Sequence, residues 1–429
     1  MCNIKWILLL LFLLIMTSLP VLVSAETVFK EISVTYDEGK KDYIGSATVD
    51  IDGNMYFTGS SPGNTYLTVK YDSYGREKWV RTYSPNPASR AGGAGKMTVD
   101  RAGNIYVAPS RNLGKILKYD ADGNQSILSN PRIVPYGCCS KQTGLVLDKN
   151  ENNLYSWASH TIQKISLDGG SNWLQRFHTA NYLVRGIATD DSGNIYVVGH
   201  SVAVNNPSAG GLIIKKFDNL GNVIWSRFWH AEGDGSQGET VHGLQLDTNN
   251  NIYLLVQSIN YENSCLYCIT SFVVRFSSDG STTNSTILNG TNGYQAGAIK
   301  VADDKIYVTM LSRNTHILTV QKLNTDLSLD WSTEYSHSNG NLSLASPDVD
   351  GLGNVLVGFR QQYNDVIIKF DVYGNELWTQ NFDGRRLVFL KFGTTGEIYA
   401  AGSRSTGFGA NHNADVVMYR YGVTQLICQ

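Results

Sequence analysis

The stretch from His230 to His242 gathers His230, Glu232, Asp234, Glu239 and His242 in one glycine-containing segment. Imidazoles and carboxylates this close in sequence can bind a metal or pass a proton as general base and acid. The helical zinc spacing His-Glu-x-x-His is missing, so His230, Glu239 and His242 are candidates for acid–base work, and a polar loop without chemistry is the plainer alternative. A second set is cationic. Arg111, Arg313, Arg360 and Arg404 each follow a short apolar run, and His160 and His200 sit in comparable places. Should their loops converge, they form a broken cationic ring able to meet a carboxylate, a sulfate or an acidic sugar. Otherwise each arginine pairs with a local acid or stays solvated.

Asp50-x-Asp52-Gly53-Asn54 offers oxygens of the kind calcium takes, but the glutamate that closes an EF-hand loop does not follow. The same residues build a turn, with aspartate accepting backbone hydrogen bonds and glycine taking the left-handed conformation. Turn chemistry is the expectation here, with no metal and no cofactor. Cys265 and Cys268 would most simply pair with each other. The adjacent Cys138 and Cys139 could close a strained vicinal disulfide, a kind that tends to be labile or functional.

These side chains hang on a repeat. The phrase Asp-x-x-Gly-Asn-x-Tyr occurs at Asp50 to Tyr56, Asp100 to Tyr106 and Asp190 to Tyr196. Asp247 to Tyr253 carries Asn250 at the glycine position, Asp350 to Leu356 lacks the aromatic, and Gly393 to Tyr399 lacks the aspartate. Shifted or eroded copies end at Tyr155 and Tyr307. Eight units at intervals of roughly 40 to 60 residues mean a solenoid, a propeller or an array. Within a unit, β-forming runs flank Gly-Asn as in a hairpin. A third run then leads to a second glycine turn, as Lys216-Phe217-Asp218 leads to Gly221, and a fourth carries tryptophan with an aromatic four residues on, as in Trp79 and Tyr83. That spacing puts both rings on one face of a strand, where they can fill the wedge between neighbouring four-stranded blades.

The last unit lacks a fourth strand. Glu31-Ile32-Ser33-Val34-Thr35-Tyr36 supplies one, because Ile32 and Tyr36 echo Trp79 and Tyr83. An N-terminal strand completing the C-terminal blade closes the ring and removes its open edges. The expected fold is therefore all-β, a single closed propeller of eight four-stranded blades. Seven is the alternative if the unit near Tyr307 merges with a neighbour. Met97-Thr98-Val99-Asp100 through Gly103-Asn104-Ile105-Tyr106-Val107 resembles the SBBP β-propeller repeat and is also similar to NHL repeats. The resemblance runs through the whole mature chain and implies the propeller fold with a binding or scaffold role. It brings no catalytic residue with it.

Lys5, the apolar run from Trp6 to Met16, Pro20 and Val23-Ser24-Ala25 read as a secretory signal peptide over residues 1–25. Residues 26–429 then form the propeller domain, with no membrane span after cleavage. The formal charge of −2, without a basic block, excludes a nucleic acid partner. Cleavage removes Cys2 and leaves an odd number of cysteines, so Cys428 could bridge to a second molecule. Asn124, Asn284, Asn289 and Asn341 begin sequons that a eukaryotic secretory pathway would glycosylate. The expected function is a secreted, extracellular binding or scaffold protein for matrix, adhesion or recognition, its ligand a protein or glycan that can be anionic. The alternative is an extracellular hydrolase or lyase acting on a polysaccharide or lactone at the channel mouth.

Overall fold

The computed structural model describes residues 25–37, 43–61, 65–84, 94–109, 115–129, 143–158, 160–170, 172–177, 182–201, 211–231, 236–260, 268–288, 294–312, 315–336, 347–361, 364–406 and 413–426. They form eight four-stranded antiparallel sheets. Blade 1 runs Tyr43–Val49, Met55–Ser61, Thr65–Tyr71 and Glu77–Tyr83, and the next blades repeat that order along the chain. Each first strand touches the first strand of the following blade, and that of blade 8 (Arg385–Phe392) touches that of blade 1. The first strands therefore stand innermost, around a central channel. The unit containing Tyr307 is a complete blade of its own, blade 6, which removes the seven-blade alternative.

Blade 8 is closed as its missing strand requires. Ala25–Tyr36 pairs with Asn413–Leu426, from Ala25 opposite Leu426 to Tyr36 opposite Val416. In other blades the third and fourth strands are joined by a tight turn. In blade 8 they continue instead as an open ribbon past the Lys30–Tyr421 pair.

The repeated phrase is a hydrogen-bonded unit. Asp50 Oδ1 accepts from the amides of Asp52 and Asn54 at 3.0 and 2.9 Å. Its Oδ2 accepts from Asn54 Nδ2 at 2.8 Å and from the Tyr56 hydroxyl at 2.7 Å. A buried phenol needs an acceptor, so the tyrosine and the aspartate belong together. In blade 8 the lost aspartate is compensated by Glu397, which accepts from the Tyr399 hydroxyl at 3.2 Å.

Neighbouring blades are clasped by a second repeated device. Lys216 Nζ and Trp225 Nε1 of blade 4 both donate to the Ser278 carbonyl of blade 5, at 3.3 and 3.2 Å. Lys70 with Trp79 does the same to Ala121, Lys164 with Trp173 to Asn219, and Lys322 with Trp331 to Val372. Each acceptor lies in the turn joining the third and fourth strands of the next blade. The turn glycine packs against the tryptophan. A Cβ on Gly374 would come within 2.7 Å of the Trp331 ring, and its φ of +86° already favours glycine. Apolar clusters fill the wedges between blades, as the tryptophan spacing predicts.

Candidate functional site

Every first strand ends at a tight turn, of the Asp-x-x-Gly kind in blades 1, 2, 4 and 7 and altered in the others, and so does every third strand except that of blade 8. These turns share one face of the disc. Links between blades, and connections from second to third strand, emerge on the other face. At that loop face the innermost strands are irregular. Register shifts fall at Ile44/Ser46, Ala94/Lys96, Val184/Gly186 and Val241/Gly243, and more broadly at Ala296/Ile299 and Arg385/Phe389. A bulge leaves one residue unpaired and re-aims its side chain. The residues set out in this way include Gly45, Gly95, Arg185, His242 and Arg386.

Glycine has a reason at Gly45. A Cβ there would come within 2.7 Å of the Ala94 carbonyl on the neighbouring first strand. Blades 4 and 5 instead place Arg185 and His242 at the equivalent position, on neighbouring innermost strands. Sequence reasoning missed Arg185, although it stands at the same offset before Asp190 as His242 does before Asp247. Arg386, exposed and at a φ of +59°, has no such offset, and only the irregular register of its strand reveals it.

Arg185 is half-buried and its Nε donates to His200 Nδ1 at 3.1 Å. Its Nη2 lies 3.2 Å from His200 Nε2, and because a guanidinium can only donate, the ring that faces it accepts and is neutral. Burial and the adjacent guanidinium both push the His200 pKa down, to about 4. Burial also lowers that of Arg185. His242 is open to solvent, yet protein surrounds the channel on every side and desolvation lowers its pKa as well. Both imidazoles are therefore neutral near pH 7, and Arg185 supplies the positive charge beside them.

The segment read as a loop from His230 to His242 is strand in its second half, since Ser236–Leu246 is the innermost strand of blade 5. His230 Nδ1 lies 2.7 Å from Glu239 Oε1, and the Glu239 side chain is fully buried. The imidazole is not aimed along a hydrogen bond to that oxygen. The Ala231 amide also donates to Glu239 Oε1, at 3.1 Å. Glu232 and Asp234 lie outside the described residues.

Among the cationic candidates, Arg360 lies within a second strand, Val355–Gln361, rather than after it, and its Nε is 3.1 Å from the buried Asp365 carboxylate. The Asp365 carboxylate also accepts from the Leu387 amide. Arg360 is thus spent on a local acid. Arg404 lies in Ile398–Thr406, exposed and opposite Asp415 in register. His160 Nδ1 donates to the Tyr182 carbonyl at 2.7 Å and ties blade 3 to blade 4.

Arg111, Arg313, Cys138, Cys139, Cys265, Cys428, Asn289 and Asn341 lie outside the described residues, as does the Cys268 side chain. Asn284 and Asn124 are exposed, and Asn124 Nδ2 donates to Asp120 at 2.8 Å. Among the described residues no group of three or more His, Cys, Asp or Glu is placed to hold a metal.

Residues 172–203 match the SBBP β-propeller repeat. No curated protein matches the chain. Among solved structures it is similar to the Dos1 propeller, at 10% identity and a TM-score of 0.59 over 91% of this chain and 94% of that one. It is also similar to the PL25 ulvan lyase, a polysaccharide lyase, at 12% identity and a TM-score of 0.47 over 81% and 98%. A prolyl endopeptidase matches at 10% identity and a TM-score of 0.48 over 85% and 55%. The first of these likenesses shows the fold.

Proposed function

We propose that this eight-bladed propeller of SBBP-type repeats is a secreted binding or scaffold protein, and that it takes an anionic ligand at the loop-face mouth of its channel. The observation that carries the reading is the adjacent placement of Arg185 and His242 on the bulged innermost strands of blades 4 and 5. A guanidinium beside a neutral imidazole keeps its charge, and that charge attracts a carboxylate or sulfate to the channel mouth. Secretion rests on the leader over residues 1–25, and cleavage after Ala25 leaves Glu26 to begin the closing strand.

The test is a binding screen of the purified mature chain against sulfated and uronic acid glycans and extracellular matrix proteins. Arg185→Ala should weaken binding about tenfold, the usual consequence of losing a charge-assisted contact. The loss should shrink as salt rises. No anionic ligand bound at low salt, or binding indifferent to Arg185→Ala, sinks this reading. The hydrolase or lyase reading rests on the His230–Glu239 contact. It predicts turnover of a bound polysaccharide or lactone that Glu239→Gln abolishes, and binding without turnover counts against it.

A further inference from the structure

On the opposite face, between blades 7 and 8, lies a cleft of about 500 Å³ whose walls include Asp350, Asn354, Lys369, Gly396 and Glu397. Three features of the repeat fail together at this place. Tyr56, Tyr106, Tyr196 and Tyr253 each donate a hydroxyl to their own turn aspartate, at 2.7, 3.0, 3.1 and 3.0 Å. Blade 7 carries the buried Leu356 instead. Asp350 still accepts from the amides of Leu352 and Asn354 and from Asn354 Nδ2. No hydroxyl among the described residues completes the set.

At the junctions into blades 1, 2 and 7 the tyrosine tip of the preceding blade lies near a turn glycine. A Cβ on Gly103 would stand 3.8 Å from the Tyr56 hydroxyl oxygen, and one on Gly353 would stand 3.7 Å from that of Tyr307. The matching glycine of blade 8 is Gly396, and a Cβ there would meet nothing within 4 Å. The third feature is the lysine. Lys70, Lys118, Lys216 and Lys322 lie over the tyrosine rings of their own blades, 4.8 to 5.9 Å from the centroid. Lys369 has Leu356 opposite it in register; it is held by Glu26 and lies 5.8 Å from the centroid of Phe392 in blade 8 rather than over a tyrosine of its own blade.

We propose that this cleft binds a hydroxylated aromatic ring, a phenol, in the place the repeat elsewhere gives to its own tyrosine. Its hydroxyl donates to the Asp350 carboxylate, its face meets Lys369, and its tip lies beneath Gly396. Ion to aromatic-face attraction and a hydrogen bond to a half-buried carboxylate favour a phenol over a plain hydrocarbon ring. The volume is of the order found for small-molecule sites. The site is separate from the channel mouth, so its fate and that of the anion site are independent.

The experiment titrates the full mature chain with p-cresol, the side chain of tyrosine, and with toluene, by calorimetry or protein-observed NMR. p-Cresol should bind in the millimolar range or tighter and at least about tenfold better than toluene, the loss expected when a hydrogen bond to a charged group is removed. Leu356→Tyr should fill the cleft and abolish p-cresol binding. Asp350→Asn, which keeps the shape of the turn, should reduce the preference for p-cresol over toluene even if Leu356→Tyr does not fold. N-acetyltyrosinamide distinguishes the sources: binding tighter than p-cresol assigns a tyrosine of a partner peptide, and weaker binding assigns a free phenol. Equal affinity for toluene and p-cresol, absence of millimolar binding, or p-cresol binding that survives in folded Leu356→Tyr overturns the proposal.

Discussion

His200 shows what one buried neighbour does to a titratable group. In the unfolded chain its imidazole takes a proton below about pH 6.5, and in the folded chain it does so only near pH 4. Between those values the unfolded state binds more protons, so stability is full above about pH 7 and is lost as pH falls towards 4. The shift corresponds to about 3 kcal/mol at most. Chemical denaturation at pH 7 and pH 5 should show the midpoint dropping for the native chain and dropping less for His200→Gln. An identical pH slope in both proteins would assign the acid sensitivity elsewhere. The tyrosine of the repeat is set by similar logic. Burial and the nearby carboxylate hold the Tyr56 phenol well above its ordinary pKa, so it remains a donor to Asp50 across the working range.

At the scale of the strand and turn, the clasp between blades explains why lysine, tryptophan and glycine recur together. A turn carbonyl at a blade junction must be paired, and an indole and an ammonium from the preceding blade do it jointly. Trp225→Phe keeps a ring in the wedge but removes the donor to Ser278. It should cost about 1 kcal/mol, the net value of one hydrogen bond, seen as a lower urea midpoint at unchanged slope. A loss several times larger would mean that packing of the larger ring dominates. Much of this level is legible in the sequence, because alternation, glycine turns and tryptophan spacing are local. The clasp is not, since Lys216 and Ser278 are brought together only by the stacking of blades 4 and 5. The segment from His230 to His242 misleads for a related reason. Its glycines and polar residues look like a loop, but Thr240, Val241 and Leu244 complete a strand ladder with the following strand.

For the whole molecule, closure depends on one substitution of chemistry. Blade 8 has no turn between its third and fourth strands, so Lys369 and Trp378 of blade 7 find no turn carbonyl. Glu26 replaces it, accepting from Lys369 Nζ at 2.9 and 2.7 Å and from Trp378 Nε1 at 3.1 Å. Both partners of this ion pair are nearly inaccessible to solvent, at 6% each. Removing one charge of a buried pair strands the other and typically costs about 3–5 kcal/mol. Glu26→Ala should therefore destabilise the ring far more than an alanine at the exposed Thr27, measured by equilibrium unfolding. Equal effects of the two would show that backbone pairing of the N-terminal strand closes the ring without the carboxylate. On the other side of blade 8 the junction is regular again, with Arg420 Nη1 donating to the Ser73 carbonyl at 2.8 Å.

The sequence by itself determined the antiparallel hairpins, the N-terminal strand that completes blade 8, and the inward role of the tryptophans, and it favoured eight blades over seven. All of these follow from side-chain periodicity and from turns in which the determining residues are close along the chain. Only the tertiary structure decided which charges are spent and which line the channel. Arg360 is bound to Asp365 within its own hairpin, whereas Arg185 is set onto the channel wall by a bulge and meets His200 on the adjacent strand. It also brought Leu356, Lys369 and Gly396 to one cleft. Those positions belong to two blades, and a defect in one repeat becomes a cavity only where the next blade is packed against it.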